Sequence, residues 1–307
     1  QSCQNCHMER ADGVKISNRP RFLSARDDFH RHGFYGGNVL MLDILDANRE
    51  ELDVGDGDFA ASIEATRQTL ASAAEVVIEK SRLDGNQLKV QVRVINKTGH
   101  KLPASFPSRR AFIHFAVADD QGNLLFESGK PEEDAHGVLT GAIVGVKGDT
   151  GRMGYERHYD VISREDQVQV YEPIMYTHEN KQTYTLLRAK YYQKDNRIPP
   201  KGFDKNDPNL PDQIAVKGLA ARDKNFNGGS DLVTYKIRLD EPVDGVVVTA
   251  ALRYQTLSHG FVRDLRRDAV GQTAENQTIQ RFLRMYDDSR IRVETIAEAS
   301  ATIGDVD

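Results

Sequence analysis

The chain holds two cysteines, and both fall in one run, Cys3-Gln4-Asn5-Cys6-His7. Two thiols three positions apart with an imidazole directly after them is the C-x-x-C-H spacing of c-type haem attachment. The order has a mechanical cause. The thiols reach the two vinyl groups on one side of a porphyrin, and the next side chain swings beneath the ring to bind iron. Coincidence is a weak competitor: with two Cys and nine His in 307 positions, this spacing arises on the order of 1% of the time and the His in about 3% of those cases. A thioredoxin-like redox pair would sit at a helix start inside a βαβ unit, which nothing around residues 1–10 suggests. Structural zinc would need two further ligands, and no second Cys pair supplies them. Covalent haem c, held by Cys3 and Cys6 with His7 as an iron ligand, is the expectation. Haem attachment of this kind implies a compartment outside the cytoplasm of a prokaryote, periplasmic or at the cell surface. With no other Cys, stability rests on packing rather than on disulfides.

The elements that must position this motif are legible from periodicity. Asn38 can cap a helix whose apolar positions Met41, Ile44 and Leu45 recur at helical spacing. A second helix is expected over 58–80, with a stripe of Ile63, Leu70, Ala74, Val77 and Ile78 and Gly85 beyond its end. The period then changes: Leu88, Val90, Val92 and Val94 alternate with polar residues, as in a half-buried strand. A strand over 111–118, a turn at 119–123 and a returning strand over 124–127 follow. Further strands are expected over 167–171, 183–189, 232–239 and 246–254, a closing helix over 274–286, and a loose tail beyond 300. The fold class expected is α+β: an N-terminal helical haem c-binding segment over 1–84, then a mainly antiparallel β-sandwich-like domain with a C-terminal helix over 85–307.

Composition excludes some functions. A net charge of −5 without a long basic block argues against a protein that neutralises nucleic-acid phosphates. The longest apolar run, over 245–252, is far short of the roughly 20 residues of a membrane-spanning helix. The opening Gln1-Ser2-Cys3, with no initiator Met and no apolar signal, reads as a processed product or the C-terminal part of something longer.

Several stretches carry a resemblance. Asn96-Lys97-Thr98-Gly99-His100-Lys101-Leu102-Pro103 followed by Phe106-Pro107-Ser108-Arg109-Arg110, and His32-Gly33-Phe34-Tyr35-Gly36-Gly37-Asn38 shortly after the C-x-x-C-H-M, are joined in order by three later matches. These are Lys201-Gly202-Phe203-Asp204, Asp223 with Phe226, Gly228, Gly229, Ser230, Asp231 and Tyr235, and Leu252-Arg253-Tyr254-Gln255. Together they resemble the C-terminal region of multihaem c-type cytochromes. Ala104-Ser105 departs from the Thr-Gly that follows Leu-Pro in that pattern, and one haem motif stands where the family implies several. The resemblance implies either the C-terminal portion of a larger cytochrome or a haem-poor relative.

His32, within the family-like H-x-F-x-G-G-N, is the first candidate for the sixth iron ligand, with His100 and His30 as alternatives. The competing reading is a surface imidazole paired with Asp27 or Asp28. Met8 is adjacent to His7 and cannot reach the far side of a ring. His100 could instead serve a haem of an upstream segment or partner chain. His114, in a strand, reads as half of a cross-strand pair; His136, His158, His178 and His259 default to solvent, although His158 lies beside Tyr155 and Tyr159. The Asp223–Asp231 stretch resembles the first part of a calcium loop but has Thr234 at the twelfth position, and reads as a turn before a strand. Asn96-Lys97-Thr98 and Asn276-Gln277-Thr278 match glycosylation acceptors.

The expected function is electron transfer by a bis-histidine haem c in a multihaem relay, a carrier rather than an enzyme, with other haems or redox proteins, a homo-oligomer or a larger cytochrome assembly as partners. The rivals are a haem enzyme with an open iron site acting on a small nitrogen, sulfur or peroxide species, and a cell-surface binding or assembly module. Protein from a haem-c-maturing host should keep its colour after denaturation and acid–acetone extraction, and its mass should exceed that of the polypeptide by one haem; a colourless product of bare polypeptide mass sinks the haem reading.

Overall fold

The computed structural model describes residues 2–150 and 154–304, so Gln1 and the end of the expected tail, residues 305–307, lie outside the described residues. The fold is α+β with mostly antiparallel sheets. Its helices are α1 (Cys3–His7), α2 (Val39–Ala47), α3 (Phe59–Ala71), α4 (His259–Asp268) and α5 (Ala274–Asp288). The long strands are β1 (Ala74–Asp84), β2 (Gln87–Asn96), β3 (Arg110–Ala118), β4 (Leu124–Ser128), β5 (Ser230–Arg238), β6 (Gly245–Gln255) and β7 (Glu294–Gly304).

Two sheets share one apolar core. In the first, β1, β2 and β5 run antiparallel, and the short strand Val161–Ile162 adds parallel to β5. In the second, β3 lies centrally, with β6 and then β7 on one side and β4 and the short strand Val170–Tyr171 on the other. Val90, Val92 and Val94 of β2 and Val233 and Tyr235 of β5 are buried against Phe115 and Val117 of β3 and Val248 and Leu252 of β6. The alternation that predicts β2 is the alternation that buries it, because successive residues of a strand face opposite sides. Phe115 and Tyr235 stack across the sheets with ring centroids 3.8 Å apart and planes 11° from parallel.

A second cluster joins the ends of the chain. Leu40 and Ile44 of α2 pack with Val262 of α4 and Leu283, Met285 and Tyr286 of α5. Glu51 accepts from both Arg281 and Arg284, whose guanidinium groups, Arg284 first, hold its carboxyl at about 2.

Three expectations require correction. The helix expected over 58–80 is the helix α3, capped by Asp58 accepting from the Ala61 amide and ending at Ala71, followed by the strand β1. Val76 and Val77 alternate in burial rather than continuing the stripe. Valine and isoleucine read equally as helical stripe or strand over so short a run, and pairing with β2 decides it. The strand expected over 183–189 is only Gln182–Thr183 and a 3-10 turn at Leu186–Arg188. The tail is not loose as far as Gly304: β7 pairs with β6 over its length.

Phe115 fills the centre of the shared core with no exposure, so Phe115→Ala should cost about 3–5 kcal/mol of unfolding free energy, read as a lowered denaturant midpoint; a loss under about 1 kcal/mol contradicts this packing.

Candidate functional site

α1 is a single turn, and its geometry sets out the chemistry. Cys3 and Cys6 lie one turn apart on one face, both as free, exposed thiols, with His7 at the end. A five-residue helix is too short to persist alone. It is held by a reciprocal clamp: His7 Nδ1 donates to the Tyr35 carbonyl at 2.5 Å, and the Tyr35 amide donates to the His7 carbonyl at 3.0 Å. The clamp fixes the tautomer, with the proton on Nδ1 and the Nε2 lone pair free.

The facing wall is the turn after β2. Asn96, 3% exposed, organises it: its Nδ2 donates to the carbonyls of His100 and Ile198, and its Oδ1 accepts from the amide and hydroxyl of Thr98. His100 Nδ1 lies 3.0 Å from the Lys101 carbonyl and 3.2 Å from the Thr98 hydroxyl. That second imidazole therefore also keeps its proton on Nδ1 and leaves Nε2 without a hydrogen-bond partner among the described residues. Leu102 and Ile198 exchange both backbone hydrogen bonds at 2.9 Å, which roots the turn.

Between the two walls is a cavity of about 410 Å³ lined by Cys3, Cys6 and His7 on one side and Lys97, Thr98, Gly99 and His100 on the other. Leu70, Ala73, Leu102, Pro103 and Tyr254 form an apolar floor, and Lys97 and Arg109 add cations. The rings of His7 and His100 have centroids 6.3 Å apart with planes 16° from parallel. An imidazole nitrogen sits about 1.1 Å from its ring centre and bonds a first-row metal at about 2.0–2.1 Å, so two imidazoles on opposite sides of one metal have centroids about 6.2–6.4 Å apart. The separation of the rings matches that of two imidazoles holding one metal, beside two thiols at porphyrin-linking spacing, and the residues present fit a haem c.

The Gly36–Gly37 backbone completes the near wall. A Cβ on Gly37 would meet the Tyr254 hydroxyl at 3.2 Å and Leu70 Cδ1 at 3.3 Å, so glycine lets the segment lie flat on the cavity floor. Thr256 Oγ1 donates to the Gly37 carbonyl, and Asn38 caps α2 by accepting from Met41.

The structure brings Cys3, Cys6, His7 and His100 together and leaves the other candidates apart. His32 is exposed, with its ring 5.5 Å from Phe34, and does not line the cavity. His30 faces the Met8 carbonyl and Asp28, also outside it. His114 bonds Glu127 of the neighbouring β4 at 2.8 Å. His158 is corrected from solvent to interior, at 5% exposure, and lies away from the cavity. His259 is half-buried, and burial pulls its imidazole below the ordinary value. Both glycosylation readings meet bonded amides: Asn96 is buried as above, and Asn276 uses its side chain within the α5 cap and on the Asp268 carbonyl.

Sequence reasoning missed the cluster of His158, Asp223 and Asp231, whose ligand atoms lie within 4.8 Å of one another. Its hydrogen bonds engage most of its polar atoms, while Asp231 Oδ1 is buried without a hydrogen-bond partner among the described residues. Gln169 Oε1 accepts from the Tyr159 amide and Asn196 Oδ1 from the Glu172 amide, so both NH2 groups are turned toward His158 Nδ1, at 2.7 and 3.1 Å. Nδ1 must accept, which leaves Nε2 to donate to Asp223 Oδ2 at 3.1 Å. A metal on Nε2 would demand an imidazolate, and the network favours the proton instead. Asp223 Oδ1 accepts from the Asn225 amide and Asn225 Oδ1 from the Leu232 amide, so the calcium-like stretch spends these oxygens on the turn that leads into β5. Burial raises the Asp231 carboxyl above its usual range, against the pull of His158 and Tyr171.

No family model matches the chain, and no curated protein sequence matches it. Of the solved structures, it is similar to a penta-heme cytochrome c552 from Thermochromatium tepidum, with a TM-score of 0.46 and 13% identity over 99% of this chain and 47% of that one. The chain spans about half the length of that structure. The haem reading rests on the residues themselves.

Asn96 satisfies both walls of the turn that presents His100, so Asn96→Ala should leave buried groups unpaired and cost about 1–3 kcal/mol in thermal or denaturant unfolding; an unchanged midpoint would show that the turn does not depend on it.

Proposed function

We propose that the chain carries one haem c, linked through Cys3 and Cys6 and ligated by His7 and His100, and that it transfers electrons within a multihaem relay. The observation that carries the reading is the 6.3 Å separation of two near-parallel imidazoles beside the two thiols. The haem supplies a one-electron Fe(III)/Fe(II) couple. The chain's residues do the rest. Tyr35 and the Lys101 carbonyl accept the Nδ1 protons, orienting each ring and raising the basicity of its Nε2. Leu70, Leu102, Pro103 and Tyr254 exclude water from one side. Lys97 and Arg109 are placed to receive carboxylates such as the propionates of the ring.

With His7 and His100 both holding the iron, no iron position would be left open to substrate, which favours a carrier over an enzyme. Two imidazoles also place the potential below that of a His/Met pair, because a thioether ligand raises it. The exposed Cys3 and Cys6 leave one edge of the site facing solvent, where a second haem or a redox protein could approach. Covalent haem attachment of this kind supports a periplasmic or cell-surface location.

The ferric protein should be low-spin and the ferrous protein inert to carbon monoxide. His100→Gln should open the iron to carbon monoxide, while His32→Gln and His30→Gln should leave the spectrum unchanged. Carbon monoxide binding by the wild type, or loss of the low-spin spectrum in the His32 variant with retention in the His100 variant, would overturn the ligand assignment.

A further inference from the structure

The segment over 14–26 stands apart in charge from the rest of the chain. It holds Lys15, Arg19, Arg21 and Arg26 and no acidic residue, whereas the whole chain carries −5, so the remainder carries −9. The segment is a built loop. Val14 and Arg26 exchange both backbone hydrogen bonds at 2.9 Å across its base, the Asp28 amide donates to Asp12 Oδ1 at 2.8 Å beneath them, and the Ser17 hydroxyl bonds both the amide and the carbonyl of Arg19. Its four cations are exposed and form no ion pair among the described residues. Between them Ile16 and Phe22 are 62% and 84% exposed. Exposed apolar side chains flanked by arginine match the composition of a protein–protein interface.

The complement lies on the same chain. The segment over 46–58, between α2 and α3, has six acidic residues against the single cation Arg49. Arg49 pairs with Asp46, Glu51 is taken by Arg281 and Arg284, and Asp58 caps α3. Glu50, Asp53 and Asp56 are left exposed, with no ion pair among the described residues, and the half-buried Val54 lies between the last two. The nine residues of α2 carry this segment about 13 Å beyond Asn38. Four cations on one loop and three anions on another are thus complementary in sign and unpaired within one molecule.

We propose that the 14–26 loop docks on the 46–58 segment of a second copy of this chain, with Lys15, Arg19 and Arg21 meeting Glu50, Asp53 and Asp56 and with Ile16 and Phe22 covered in the contact. Two different patches meet, so the contact is heterologous, and an open assembly leaves one patch of each kind unused at its ends. The exposed charges steer and orient the encounter, and the apolar pair adds buried area that salt does not screen. This contact is independent of which histidine holds the iron.

The test is sedimentation velocity of the haem-loaded chain over a concentration series. The wild type should associate reversibly, and the association should weaken about tenfold or more between about 50 mM and about 500 mM sodium chloride. The triple variant Lys15→Glu, Arg19→Glu, Arg21→Glu should be monomeric at low salt. So should Glu50→Lys, Asp53→Asn, Asp56→Lys, where Asn is chosen because position 53 has a φ of +51°. Mixed in equal amounts, the two variants should associate again, since inverted loop meets inverted segment and native loop meets native segment across the pair. Phe22→Ser, a change at an exposed side chain, should weaken what association remains at high salt. All of these variants should keep the wild-type haem spectrum, because none of the residues lines the cavity. A wild type that stays monomeric at low salt, association that salt does not weaken, either triple variant associating as the wild type does, or a mixture that stays monomeric overturns the inference. A wild type that binds carbon monoxide would overturn the ligand assignment and leave this contact standing.

Discussion

Each of the two imidazoles that face one another across the cavity gives its Nδ1 proton to a backbone carbonyl, and the site depends on that pair of bonds. A neutral imidazole has one donor and one acceptor. Committing the donor to Tyr35 on one wall and to Lys101 on the other leaves each Nε2 with a lone pair and no hydrogen-bond donor among the described residues. Moving either proton to Nε2 would present an N–H to the cavity and leave the Nδ1 lone pair against a carbonyl, and rotating either ring by half a turn would put C–H groups in both places. The carbonyls therefore select orientation as well as tautomer, and they are main-chain atoms whose position is set by folding rather than by rotamer choice.

The two walls gain their precision from different sources. The His100 wall extends directly from β2, whose pairing with β5 and β1 is regular, and is then tied to Ile198 and Asp195 on a separate segment. The His7 wall has no buried residue in its helix and is joined to the body through Tyr35, the Gly36–Gly37 backbone and the capped start of α2. α2 in turn packs on α4 and α5 from the other end of the chain. Rigid sheet on one side and a lightly held turn on the other is an arrangement in which a covalent group linked to the turn and ligated by the sheet adds to the stability of the folded state, because it binds that state and not the unfolded one.

Much of this was legible in sequence, for reasons particular to each residue. C-x-x-C-H is read by spacing alone, since the thiols and imidazole act from one turn of helix. The alternation of Leu88, Val90, Val92 and Val94 specified β2 because one face of it is buried, whereas Ala74, Val77 and Ile78 satisfied helical and strand patterns alike and needed the partner strand to decide. Of the candidate second imidazoles, His100 lines the cavity and His32 does not, although His32 is nearer His7 in the chain. The cavity is bounded by the turn after β2, a contact at a sequence separation that no local pattern encodes. The H-x-F-x-G-G-N stretch does bear on the site, through the Tyr35 carbonyl and the two glycines rather than through its histidine. A backbone acceptor has no residue-type signature, so no reading of side chains would have found it.

The buried His158 shows why proximity of donor atoms is insufficient to define a metal centre. His158, Asp223 and Asp231 are as close as ligands of one ion, yet two amide groups whose orientation is fixed by the Tyr159 and Glu172 backbone N–H groups compel His158 to accept at Nδ1. His7 and His100 meet carbonyls at the same ring position. The difference between an imidazole that offers its Nε2 lone pair and one that offers an Nε2 proton lies wholly in what stands behind the ring, a carbonyl oxygen in one case and an amide NH2 in the other. That single atomic distinction separates an imidazole with a free Nε2 lone pair from one held to its Nε2 proton.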